Sequence, residues 1–140
     1  SCSRSRSEVA SCMKPSTHEW IKKAESDFQA ALALSRRRKI SFHDQACFHF
    51  QQSAEKYLNA RLEEANIRSP KTHDLDQLLN LLLPVEPLWV TLLPVLLRLN
   101  DYAVEFRYPG QTATANDVKS ARQDARTVRK EVRLSFRIPV

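Results

Sequence analysis

The chain has 140 residues, enough for about one domain, and its 42% hydrophobic and 27% charged residues suit a folded globular protein. A single glycine, Gly110, excludes a P-loop or a dinucleotide-binding turn, which need several, and argues against the tight turns of an all-β fold. The net charge of +6 is uneven: nine Lys/Arg against four Asp/Glu in 1–40, six against nine in 41–110, and seven against three in 111–140. The basic ends would favour polyanions, unless they are simply solvated helix faces.

Residues 1–12 are rich in Ser and Arg and lack periodicity. A disordered tail is predicted over 1–14, with Met13 a candidate natural start. No apolar run of a signal peptide precedes it. Ser16 and Glu19 have the spacing of a capping box, which predicts a first helix over 17–38. Trp20, Ala24, Phe28, Ala31 and Leu32 would form its buried stripe. The basic run Arg36, Arg37, Arg38 and Lys39 would meet the negative end of the helix dipole, a reading preferred to nucleic-acid binding.

A second helix is predicted over 41–65, started by Ser41 and Asp44, with Phe42, Ala46, Phe50, Ala54, Tyr57, Leu58 and Leu62 inward. A loop with Pro70 leads to a short third helix over 74–83, burying Leu75, Leu78, Leu79 and Leu82. Pro84 and Pro87 bracket a turn, and a fourth helix follows over 88–107. Pro94 lies within it and removes a backbone hydrogen bond, so a kink or restart is expected nearby. The fifth helix, over 116–136, has Val118, Ala121, Ala125, Val128 and Val132 on one face. Lys119, Arg122, Arg126, Arg129, Lys130 and Arg133 occupy its other face. The prediction is an all-α fold over 15–136, an up-and-down helical bundle of four long helices and one short one, ending in a C-terminal tail over 137–140. The Leu-rich stretch 78–99 is too interrupted by prolines and charges to cross a membrane.

Chemistry-bearing motifs are few. Three cysteines, Cys2, Cys12 and Cys47, without a C-x-x-C pair predict a reducing, cytoplasmic setting. His43 and Cys47 share a helix face, His49 points elsewhere, and zinc wants four convergent ligands, so no metal site and no cofactor are expected. With no nucleophile motif and no obvious carboxylate pair, spacing alone assigns no catalytic residue. Two polar groupings remain. Gln51, Gln52, Glu55 and Lys56 can line one side of the second helix, either as a ligand surface or as a network that sets helix register. Arg107-Tyr108-Pro109 suits a helix end, or an arginine and an aromatic ring gripping a phosphate and a base.

Read in order, several segments resemble the HEPN domain family (higher eukaryotes and prokaryotes nucleotide-binding), in its small prokaryotic stand-alone form. They are Trp20-x-x-x-Ala24-x-x-Asp27-Phe28-x-x-Ala31, the run Ala46 to Ala60 with its Gln51-Gln52-Ser53-Ala54-Glu55-Lys56-Tyr57-Leu58 centre, Thr72-His73-Asp74-Leu75, Leu99-Asn100-x-Tyr102 and Arg107-Tyr108-Pro109. The resemblance implies a helical domain that binds a nucleotide or other phosphorylated ligand and is often a homodimer. It also implies an accessory role beside a minimal nucleotidyltransferase, with RNA a further candidate partner. The expected ligand residues are Gln52, Lys56, His73, Arg107 and Tyr108. Some members are metal-independent ribonucleases with an Arg-x(4–6)-His motif. Arg107 has no such histidine after it, and Arg68 with His73 matches the string in a loop rather than at a helix end. No ribonuclease activity is therefore expected, and His73 should cap the third helix or bond to the second. A ribonuclease and a pure protein-interaction module are the alternatives.

Overall fold

A computed structural model describes residues 13–37, 41–103 and 110–140. Among the described residues every regular element is helical. The α-helices are α1 (Pro15–Ser35), α2 (His43–Glu64), α3 (Leu75–Leu82), α4 (Leu93–Leu99) and α5 (Ala115–Ser135). Short 3₁₀ segments, Pro87–Leu92 and Asn100–Tyr102, flank α4.

The core is the set of stripes that helical periodicity dictates. The predicted inward residues of α2, α3 and α5 are buried, apart from Phe42, which is half-exposed at the start of α2. In α1 the buried stripe is Thr17, Ile21, Ala24, Phe28 and Ala31. Trp20 and Leu32 lie half-exposed on its flank, so the helix is rotated slightly from the predicted face. Phe28 meets Phe50 edge-to-face, with ring centroids 5.8 Å apart.

Helix starts differ from prediction where a competing partner exists. Ser16 does not cap α1, which begins at Pro15 after Lys14. The Ser16 hydroxyl instead donates to Glu63 at the far end of α2, at 2.8 Å. Met13 and Lys14, assigned above to the tail, pack there as well. Met13 is buried, and the Lys14 ammonium reaches the Glu63 carbonyl at 3.0 Å. The true capping box is at α5, where Thr114 and Asp117 bond reciprocally.

The predicted fourth long helix is broken. Proline cannot donate a backbone hydrogen bond but fits the first helical turn. The chain therefore winds as 3₁₀ over Pro87–Leu92 and restarts as α4 with Pro94 in its first turn. The segment 104–107 lies outside the described residues. Among the described residues three helices are long, with 21, 22 and 21 residues, and α3 and α4 are short, with 8 and 7.

Contacts set the directions. Thr17 meets Glu64 and Ala24 meets Ser53, so α1 and α2 run antiparallel. His43 and Asp44 bond to Ala113 while Tyr57 bonds to Arg133, so α5 runs parallel to α2. Helix α4 and the 3₁₀ segment after it run against α5, with Tyr102 at Asp117 and Arg98 clasping Asp124 at 2.9 and 3.0 Å. Asn100 caps α3 from outside: its Oδ1 accepts from the Leu75 N–H at 2.8 Å and its amide donates to Asp76 at 2.9 Å.

Candidate functional site

The polar residues of α2 form two adjacent rows, because positions four apart stack on a helix. Gln52 and Lys56 belong to one row, with His49 a turn before Gln52. Gln51 and Glu55 belong to the other. Asp27 of α1 receives the first row: His49 Nδ1 reaches its Oδ1 at 2.9 Å, and the Lys56 ammonium binds its Oδ2. The second row faces the loop before α3. Gln51 donates to the His73 carbonyl at 3.3 Å, and His73 Nδ1 meets Glu55 Oε1 at 2.9 Å. Gln52 donates to Gln51 at 2.8 Å and joins the two rows.

Three of the five predicted ligand residues, Gln52, Lys56 and His73, thus fall in one band along α2, with Gln52 and His73 in one hydrogen-bonded set and Lys56 in the adjacent one with Asp27. Arg107 and Tyr108 lie outside the described residues. His73 does not cap α3; Asp74 holds that position, and its N–H is taken by the Thr72 hydroxyl at 3.1 Å. The histidine bonds to the second helix, the other expected outcome. A carboxylate can only accept, so His73 carries a proton on Nδ1 and turns Nε2 away from Glu55. Its side chain is 71% exposed, while Glu55 is buried behind it.

Asp27 was not among the predicted ligand residues, although it takes two of the band's donors. Its signal was its place on the flank of the α1 stripe, one residue before buried Phe28. A carboxylate there reaches the neighbouring helix instead of water. Its charge balances Lys56, so the ammonium is not a free cation. His43, Cys47 and His49 do not converge: His43 meets the Ala113 carbonyl at 3.2 Å, Cys47 is buried, and His49 meets Asp27. Among the described residues no group of three or more His, Cys, Asp or Glu could hold a metal ion.

A second polar node ties the three long helices together. Glu25 of α1 accepts from Arg129 of α5 at 2.7 and 3.2 Å and from the Tyr57 hydroxyl of α2 at 2.6 Å. Arg133 donates to the same hydroxyl at 3.0 Å. Burial raises the Glu25 carboxyl, but the hydrogen bonds of Arg129, Tyr57 and Gln29 outweigh it and hold the group at about 2. Burial, with the Glu25 hydrogen bond, pushes Tyr57 up to about 12. Both groups keep their pH 7 form across a wide range, as suits a structural clasp.

The sequence model of one family, the HEPN domain, matches residues 17–135. The chain belongs to the HEPN domain family. The match takes in all but the first two residues of the described helices and the polar residues of α1, α2 and the loop before α3, Asp27, His49, Gln51, Gln52, Glu55, Lys56 and His73. No curated protein and no solved structure shows a significant match to the chain. Among the described residues the domain is all-helical, and no helix is long and apolar enough to cross a membrane.

Proposed function

We propose that this HEPN domain binds a nucleotide or a similar phosphorylated ligand, as a cytoplasmic homodimer that serves a minimal nucleotidyltransferase. The observation that carries the reading is the bonded set Gln52–Gln51–His73–Glu55, which presents a carboxylate-oriented imidazole and a positioned amide on one side of α2. Groups held in place by neighbours cost little to order when a ligand arrives. Lys56 is already balanced by Asp27, so the phosphate charge falls mainly to Arg107, with Tyr108 stacking on the base. Calorimetric titration with ATP and GTP tests this. Binding below millimolar is expected, weakened about tenfold or more in Arg107→Ala, the loss of one charge-assisted contact. No binding, or an Arg107→Ala variant equal to wild type, would remove the assignment.

The same reading expects RNA to survive incubation with the protein in EDTA. A carboxylate-oriented imidazole is competent as a base, but a base must also lie against its proton donor. Arg68, the motif's other half, is exposed and makes no hydrogen bond or ion pair to His73 among the described residues. Cleavage that vanishes in His73→Ala would replace the binding reading with the ribonuclease one.

A protein-interaction role is favoured by a separate observation. Leu88 is 84% exposed, and Val90, Leu93, Leu97 and Leu134 are also open to solvent. Leu88 and Leu134 flank a groove of about 300 Å³ between the first 3₁₀ segment and the end of α5. Exposed apolar groupings of this kind mark partner surfaces.

A further inference from the structure

The outward side of α5 carries Lys119, Arg122, Arg126 and Lys130, spaced three, four and four residues apart. That spacing puts all four on one stripe, about 16 Å long at 1.5 Å per residue. Lys119, Arg126 and Lys130 are exposed and Arg122 is half-buried along its stem. None of the four makes a hydrogen bond or ion pair with the other described residues. The α5 carboxylates are turned away from them. Asp117 is held in the capping box, Asp124 is buried on Arg98, and Glu131 lines the groove beside Leu88.

Like charges one turn apart repel along a helix, so this stripe weakens the helix that carries it. A solvated face usually alternates its signs; here every neighbouring pair in the row has the same sign. The cations recur about every 4.5–6 Å along the axis, a regular row suited to a regular polyanion. Arg in two of the four positions adds forked donors for phosphate oxygens.

We propose that this stripe is a docking surface for the phosphodiester backbone of nucleic acid. An anionic membrane fits less well. An interfacial helix needs an apolar face to embed, and the α5 face of Val118, Ala121, Ala125, Val128 and Val132 is buried in the core. On α5 the one large apolar side chain open to solvent is Leu134, at the groove. None of the α2 band residues contributes to the stripe, so the surface stands whether or not a nucleotide binds there.

Fluorescence anisotropy with labelled oligouridine and with a labelled DNA duplex tests the proposal. Binding to either, lost in the variant below, upholds it and identifies the source of the backbone. For the single strand, four neutralised phosphates give a slope of log affinity against log salt of about −3. The Arg122→Gln/Arg126→Gln/Lys130→Gln variant, with helicity checked by circular dichroism, should lose tenfold or more in affinity and most of that slope. The proposal is overturned if the wild type binds neither probe or the variant binds with unchanged affinity and slope. Sedimentation with phosphatidylserine vesicles but no nucleic-acid binding overturns it too, in favour of a membrane.

Discussion

Glu25 shows how one side chain can serve three helices. Its folded-state value of about 2 lies below the ordinary 4.5, so protonation favours the unfolded chain. The stabilisation is complete above about pH 4.5 and is lost as pH falls through about 2. Glu25 keeps some contact with water, which reduces the contribution to about 1–2 kcal/mol. Glu25→Gln should lower stability by that amount at pH 7, measured by urea unfolding. At pH 2 the gap between variant and wild type should shrink. A gap that stays constant between the two pH values would show that the carboxylate charge is not what the clasp uses. Tyr57 behaves in the opposite sense. Its raised value keeps the phenol neutral, and its contribution persists below about pH 10 and is lost as pH rises through about 12.

At the scale of elements, α3 is the test of borrowed order. Eight residues are too few to hold a helix in water, so its start depends on Asn100 and its face on burial. Asn100→Ala removes the acceptor for the Leu75 N–H and the donor to Asp76 together. A loss of about 1–2 kcal/mol is expected, read from thermal or urea unfolding. An unchanged midpoint would mean that packing alone holds α3. The sequence shows why this cap was hard to foresee. Leu99-Asn100-x-Tyr102 could be read as a motif, but not which of the available N–H groups Asn100 would meet across 25 residues. The long helices were legible because apolar residues recur at three and four over five or six turns. The fourth was not, since Pro87 and Pro94 permit either a kink or a complete change of winding, and only the burial of Trp89, Leu92, Leu96 and Leu99 decides between them. Ser16 and Glu19 fulfilled the spacing of a cap, yet Glu63 offered the serine a better partner. In the candidate site, the α2 residues and His73 could be picked out, whereas Asp27 belongs to another helix and comes into reach only through packing.

For the whole molecule, the exposed leucines carry the expectation of a dimer. Light scattering should give twice the chain mass. Leu88→Glu places a charge where the side chain is 84% exposed, so the fold should be affected by no more than about 0.5 kcal/mol. The dimer should weaken if that surface forms the interface. A dimer of unchanged affinity would move the interface elsewhere, and a monomer at high concentration would remove the dimer from the proposed function.

The clasp at Glu25 also orders events in time. The α1–α2 hairpin is local and can close as soon as both helices exist, but Glu25 and Arg129 are separated by 104 residues. Until α5 arrives, the Tyr57 hydroxyl and the Glu25 carboxylate face each other without either arginine. A chain growing from its N-terminus therefore carries a half-built core until most of α5 is made. Non-local closure of this kind slows folding and leaves the early hairpin exposed to wrong partners.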